Sequence, residues 1–158
     1  MKTSPLPRLA GVIPILATPF HEDESPDHES LGRMIRFFGE LGVTGVTLLG
    51  VLGESNRMTD GERSSLIATA VAAAGNMPVI AGCSHTGTAA TIALAEEAAK
   101  QGARAVMISP SKQPTPSDEQ VFNYYKTLGE LSPLPIELQD HPALDECVQY
   151  DMFYLSMI

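Results

Sequence analysis

Five short apolar runs divide the chain at regular intervals, and turn-forming residues bound each of them. They cover residues 12–17, 45–49, 78–82, 103–109 and 134–139, with Val, Ile and Leu at successive positions. An uninterrupted apolar pattern of this length is typical of parallel strands that are buried on both faces. The pattern therefore predicts five parallel strands.

Amphipathic segments with helix-start signals fill the intervals between these runs. The first segment predicts a helix with one apolar face, made of Leu31, Met34, Ile35, Phe38 and Leu41. The second and fourth segments open at the spacing of a capping box, with Thr59 and Glu62 in one and Ser117 and Gln120 in the other. The third is rich in alanine and ends before Gly102, which is typical of a helix C-terminus. Four helices are thus predicted to alternate with the strands.

A strand–helix period near 30 residues indicates right-handed βαβ crossovers and a parallel sheet. Two architectures accommodate this pattern: a five-stranded doubly wound sheet, or about the first five βα units of a (β/α)8 TIM barrel. The chain has 158 residues, whereas a complete barrel needs about 250, so length slightly favours the doubly wound sheet. Its phosphate-binding signature is missing, however, because the loop 18–25 has no glycine and 50–55 is not a G-x-G-x-x-G turn.

Three sequence segments decide between the two architectures. IPILATPF at 13–20, GVLGES at 50–55 and MPVIAG at 77–82 resemble the dihydrodipicolinate synthase / N-acetylneuraminate lyase family of Schiff-base class I aldolases. The resemblance implies a partial TIM barrel over residues 11–142, with an N-terminal extension at 1–10 and a divergent tail at 143–158. In that family the imine-forming lysine follows the fifth strand, so we expect a C-terminally truncated member that ends before this lysine.

The resemblance also implies where the site lies. Relatives carry Gly-Thr-Thr-Gly-Glu after the second strand, and here Val51 and Leu52 occupy the two threonine positions, which removes a relay hydroxyl at Val51. The backbone amides of Leu52 and Gly53 would still bind a carboxylate, and Glu54 is expected to be a buried acid that anchors neighbouring loops. Gln139 stands where relatives have the proton-donating tyrosine. Glutamine can orient a carbonyl group or water but has no titratable proton near neutral pH.

Two further groups of residues have side chains capable of chemistry. Cys83, His85, Asp140 and His141 have the residue types of a metal site, but their spacing matches no zinc motif, so no metal is predicted. Lys112 lies at the end of the fourth strand, where a lysine of lowered pKa could form an imine. A lone loop lysine is usually a solvated charge, and no lysine of this chain aligns with the family nucleophile.

Composition limits the partners. A net charge of −9 argues against nucleic acid and anionic membranes. Two cysteines do not make a disulfide framework, so a cytoplasmic location is expected.

The family implies pyruvate or a related α-keto acid as partner and no external cofactor. An open half-barrel exposes strand edges, which predicts a homo-oligomer. The alternative to a lyase is a non-catalytic half-barrel that binds a carboxylate or a partner chain.

Overall fold

The computed structural model describes residues 9–109 and 117–139. Its regular elements are α1 (His28–Glu40), β1 (Val46–Leu48), α2 (Asp60–Ala74), β2 (Val79–Gly82), α3 (Thr88–Lys100), β3 (Ala105–Ile108), α4 (Asp118–Leu131) and β4 (Ile136–Leu138). Two single-turn 3₁₀ helices, Val51–Gly53 and Ser55–Arg57, connect β1 to α2. Strands and helices alternate as predicted.

The strands form one parallel sheet in the order β1-β2-β3-β4. Val46 pairs with Val79, Ile80 with Ala105, and Val106 with Ile136. Strand order that follows chain order is the arrangement of a barrel, since a doubly wound sheet reverses direction at a switch point. The observed order is therefore that of a partial TIM barrel.

The first predicted strand, 12–17, lies beside β1 but forms only a single bridge, between Ile15 and Thr47. The Leu16 amide donates to the Thr47 carbonyl over 2.8 Å, and the Thr47 amide donates to the Pro14 carbonyl over 2.9 Å. Pro14 has no amide hydrogen, so it cannot donate to a ladder. This segment nevertheless extends the sheet beyond β1 in the order expected for a barrel.

The two faces of the sheet are covered differently. The helix side holds a large core in which residues from β1 to β3 pack against helical residues such as Leu31, Ile35, Leu66 and Leu128. The opposite face, which is the inner face of the sheet, carries a small cluster of Ile80, Ala105 and Met107 with Leu9 and Ile13 packed against it. Helices on one face only are a further feature of a barrel, whose helices form an outer ring.

The predicted helix starts are confirmed. Thr59 and Glu62 cap α2 reciprocally, and Ser117 and Gln120 do the same for α4. In each pair a side-chain oxygen satisfies an amide that the first helical turn leaves free.

The predicted apolar face of α1 is partly wrong, since the helix ends at Glu40 and Leu41 is 62% exposed. Among the described residues, no helix has the length and apolar character needed to cross a membrane.

Candidate functional site

The carboxyl ends of the parallel strands form a rim, and the turn 50–55 after β1 lies on it. The Gly53 amide donates to the Gly50 carbonyl over 3.0 Å, and the Glu54 amide donates to the Val51 carbonyl over 3.2 Å. These bonds close a single 3₁₀ turn, after which Glu54 adopts a left-handed backbone conformation with φ of 53°. A left-handed residue after a short helical turn reverses the chain toward the next element.

Two contacts fix this turn against the first strand segment. The Thr18 hydroxyl donates to the Gly53 carbonyl over 2.8 Å. Gly53 is buried, and a Cβ placed there would lie 3.5 Å from the Leu16 carbonyl oxygen. The loop after the first strand therefore holds the turn in place, so the two segments form one unit of the rim.

A third contact requires glycine at position 82. A Cβ on Gly82 would lie 2.2 Å from the carbonyl oxygen of Leu49, a residue that has a left-handed φ of 59°. The end of β2 and the start of the turn approach too closely for any side chain at position 82. The geometry of 50–55 thus depends on the neighbouring strand.

The two side chains at the predicted site positions of this turn are exposed. Val51 is 64% exposed and Leu52 is 69% exposed. Of the two amides predicted to bind a carboxylate, that of Gly53 is engaged with Gly50, whereas that of Leu52 has no acceptor in the described part of the chain. A free amide on a tight turn is a suitable donor to an anion.

Glu54 does not occupy the buried position expected of it. Its side chain is 43% exposed and pairs with Arg57, at 3.1 Å between Oε2 and Nη1. In this structure Glu54 anchors the turn locally through Arg57, and a half-exposed pair of this kind contributes little to stability.

Gln139 lies at the end of β4, three strands from the turn in the sheet. Its amide donates to the Ile108 carbonyl over 3.1 Å, and its Oε1 accepts a hydrogen bond from the Ser109 hydroxyl over 3.2 Å. The Ser109 amide in turn donates to the Ser84 hydroxyl over 2.9 Å. The ends of β2, β3 and β4 are thereby joined by a polar chain in which Gln139 can orient another group.

Glu137 is a polar residue of the sheet that the sequence pattern did not single out. It is paired in register with Met107. Ile136 and Leu138 pack against the helix-side core, so strand alternation places Glu137 on the inner face together with Gln139. The alternation of PIELQ at 135–139 is the signal that could have identified it.

Of the four residues whose types suggest a metal site, the structure describes Cys83 and His85. Cys83 belongs to the helix-side core, where burial raises the pKa of its thiol to about 12. His85 accepts a hydrogen bond at Nδ1 from the Gly87 amide over 3.0 Å. No group of three His, Cys, Asp or Glu side chains that could hold a metal exists within 9–109 and 117–139. Asp140, His141 and Lys112 lie outside the described residues.

A separate cleft of about 540 Å³ lies on the helix side, between α2 and α3. Arg63, Ser64, His85 and Glu97 are among its lining residues. The Arg63 guanidinium crosses it and donates to the Gly82 carbonyl over 3.2 Å. This cleft lies on the other side of the sheet from Gln139 and Glu137.

Comparison with known proteins gives consistent matches. The model of the family described as "Dihydrodipicolinate synthetase family" matches residues 8–149. An N-acetylneuraminate lyase of Rhizobium meliloti is 35% identical over 140 residues, which are 86% of this chain and 46% of that protein. A dihydrodipicolinate synthase structure from Rhodopseudomonas palustris has a TM-score of 0.79 at 36% identity and covers 85% of this chain and 45% of its own.

Another solved structure that this chain resembles contains a ligand. The chloride-inhibited dihydrodipicolinate synthase from Acinetobacter baumannii, complexed with pyruvate, has a TM-score of 0.80 at 27% identity. The match covers 84% of this chain and 46% of that structure. The chain therefore spans less than half the length of the relatives it matches.

Proposed function

Because this chain belongs to the dihydrodipicolinate synthetase family, we propose that it forms part of a carbon–carbon lyase that acts on pyruvate or a related α-keto acid. The observation that carries the proposal is the rim turn 50–55, whose Leu52 amide lies beside buried glycines and has no acceptor among the described residues. The pyruvate complex of the Acinetobacter baumannii relative supports the choice of ligand.

In the proposed site the Leu52 amide donates to the carboxylate of the keto acid. Thr18 donates to the Gly53 carbonyl, and the Gly53 amide donates to the Gly50 carbonyl, so the turn is fixed before the ligand arrives. A preorganised amide does not need to reorient when it binds an anion, which favours binding. Val51 and Leu52 contribute no hydroxyl, so the carboxylate lacks the two hydroxyl donors of relatives with threonine at both positions.

Gln139 orients the other end of the keto acid. Its Oε1 accepts from Ser109, so its side-chain NH₂ can donate to a carbonyl group or a bound water molecule. It cannot supply the proton that a tyrosine would, since an amide does not titrate near neutral pH. The acid–base part of the reaction needs another group.

The nitrogen of an imine must also come from a group other than the described lysines. The lysines within the described ranges are Lys100 and Lys126, on α3 and α4. Lys100 is exposed at the end of α3 and pairs with Glu97 at 3.4 Å. We therefore propose that residues 1–158 bind the keto acid and form no imine with it, and that the reaction needs no external cofactor.

A pyruvate titration followed by amide NMR shifts tests the proposed site. We expect the largest shifts at 51–54 and smaller ones at Ser109 and Gln139. Shifts confined to the helix-side cleft, around Arg63 and His85, would contradict the proposed location. Acetate is the matched control ligand, since it carries the carboxylate without the keto group and should affect 51–54 but not Gln139.

Borohydride reduction in the presence of pyruvate tests the absence of an imine. Reduction converts a lysine imine into a stable secondary amine, which mass spectrometry detects as a mass increase. We expect no adduct on residues 1–158. A labelled lysine, Lys112 included, would show that this chain carries its own nucleophile.

The second candidate function is a non-catalytic half-barrel that binds a carboxylate or a partner chain. Val51 and Gln139, which lack the hydroxyl groups of a proton relay, favour it. For either function we propose a cytoplasmic protein that assembles with copies of itself. If addition of a second chain restores lyase activity while pyruvate binding stays unchanged, the result supports the lyase. Association without any keto-acid binding supports the alternative.

A further inference from the structure

Glu137 carries a partly buried carboxyl group, and no described hydrogen bond or charge compensates for the burial of its Oε2 atom. Its Oε2 atom is buried and has no hydrogen-bond partner. An unpaired buried polar atom costs free energy, and an unpaired buried charge costs more. Because Glu137 as a whole is partly buried, ionising it costs more free energy than ionising an exposed glutamate.

The described surroundings of Glu137 offer no compensating charge. Its register partner is Met107, and the inner-face cluster beside Met107 consists of Ile80, Ala105, Leu9 and Ile13. The cationic side chains within 9–109 and 117–139 belong to helices, the rim turn or the residue before β3, namely Arg33, Arg36, Arg57, Arg63, Lys100, Arg104 and Lys126.

Among the described residues, the other titratable groups near β4 lie on the opposite face or at the rim. On α4, Tyr125 donates its hydroxyl to the Ile108 carbonyl from the helix side. On β3, Met107 and Ser109 do not titrate in the accessible range. His85 lies beyond the end of β2, at the rim. With no opposing charge, burial raises the pKa of Glu137 and favours the neutral acid.

The position of Glu137 connects it to the proposed site. It precedes Gln139 by two residues on the same face of β4, about 7 Å along a strand. Its neighbour Met107 reaches across the inner face, since a Cβ placed on Gly50 would lie 3.3 Å from the Met107 Cε atom. Met107 therefore spans the sheet between Glu137 and the turn 50–55.

We propose that Glu137 is a binding residue of the keto-acid site that admits the anionic ligand only in its neutral form. This inference rests on the proposed function. As a neutral acid, Glu137 can donate a hydrogen bond into the site, which Gln139 supports with its amide. Once ionised, it repels the carboxylate of the ligand across a face that contains no described cation.

The test is the pyruvate affinity of the full chain and of Glu137→Gln from about pH 5.5 to pH 8.5, a range in which free glutamate is ionised. For the unmodified chain we expect at least roughly tenfold weaker binding at the upper end, since two unit charges within about 10 Å of each other repel at least that strongly in a partly buried site. Glu137→Gln should retain the tighter affinity at every pH.

Two control variants isolate the effect. Glu40→Gln removes an exposed carboxylate at the end of α1 and should leave the pH dependence unchanged. His85→Gln removes a described histidine that follows β2 and should likewise leave the pH dependence unchanged. A flat profile for the unmodified chain, or a pH dependence that persists in Glu137→Gln, would overturn the inference.

A second measurement does not depend on the variant folding. The Glu137 carboxyl carbon shift of the unmodified chain should titrate above the range of free glutamate, and saturating pyruvate should move that titration to still higher pH, since coupling between two binding events is reciprocal. A titration in the ordinary range, or one unaffected by bound pyruvate, would contradict the inference. Absence of pyruvate binding at every pH would instead overturn the proposed function itself.

Discussion

Gly82 shows how a single position controls the rim. The carbonyl oxygen of Leu49 occupies the space that a Cβ would need, 2.2 Å away, and the blocking atom belongs to the backbone. We expect Gly82→Ala to lower the free energy of unfolding by about 1–3 kcal/mol, as overpacking a tight site does. The free energy is measured by urea unfolding.

Gly61 is the matched control for this substitution. It lies in α2, and a Cβ added there would have no atom of the described chain within 4 Å. Gly61→Ala should be neutral or stabilise by up to about 1 kcal/mol, because alanine favours a helix. Equal effects of the two substitutions would show that the close approach at Gly82 does not constrain the fold.

Val51 is the second informative position at the residue scale. Its side chain is exposed beside the free Leu52 amide, so Val51→Thr adds a hydroxyl with little change of shape. We expect pyruvate to bind about tenfold more tightly, because one added hydrogen bond to a charged group contributes about 1.5–3 kcal/mol before losses. Calorimetric titration measures the affinity.

Val51→Ala is the control for this gain. It removes apolar surface without adding a donor, so it should bind pyruvate as the unmodified chain does. An increase in Val51→Ala as large as that in Val51→Thr would assign the effect to lost bulk and not to the hydroxyl.

At the scale of elements, local sequence signals predicted most of what forms. The capping pairs at Thr59 and Ser117 marked helix starts correctly because cap bonds depend on residues three apart in the chain. Leu41 was placed wrongly on α1, since helical periodicity does not show where a helix ends. The strand at 12–17 was predicted in full but pairs through one bridge, because Pro14 interrupts the ladder.

The α2 cap gives a prediction at this scale. Thr59 accepts from the Glu62 amide at 3.3 Å, and Glu62 accepts from the Thr59 amide at 2.8 Å. Thr59→Ala removes the first of these bonds and should lower the free energy of unfolding by about 1 kcal/mol. Thermal and urea unfolding monitored by circular dichroism measure this loss.

Thr127→Ala provides the comparison within α4. The Thr127 hydroxyl donates to the Asn123 carbonyl, which already belongs to the helix, and the residue is partly exposed. Its replacement should change stability by less than about 0.5 kcal/mol. A loss at Thr127 equal to that at Thr59 would argue against a specific role of the cap.

The candidate site was less predictable than the fold. Gln139 and the turn 50–55 could be located from sequence because they follow strands. The exposure of Glu54 could not, since it depends on a left-handed backbone conformation at that residue. Glu137 was missed because one acid in an apolar run does not reveal what lies opposite it; that depends on the pairing of β4 with β3.

At the scale of the whole molecule, the described chain leaves apolar surface uncovered. Val12, Phe37, Leu41, Phe122 and Leu131 are each more than half exposed. Burial of such surface contributes about 25 cal/mol per Å², and net domain stability is only about 5–15 kcal/mol. Association with further copies would therefore add a substantial fraction of the stability.

We expect residues 1–158 to associate in solution. Sedimentation and light scattering should give a mass above the 16.9 kDa of one chain, with a melting temperature that rises with protein concentration. A monodisperse single chain whose sharp cooperative melt does not depend on concentration would contradict this expectation.

The central claim is that the rim turn holds the carboxylate of an α-keto acid through a backbone amide. The most direct measurement is a crystal structure of the chain grown with pyruvate. We predict the pyruvate carboxylate within hydrogen-bonding distance of the Leu52 amide and its keto oxygen directed toward Gln139, with no covalent bond to a lysine. Pyruvate in the cleft between α2 and α3, or none bound at saturating concentration, would contradict the account.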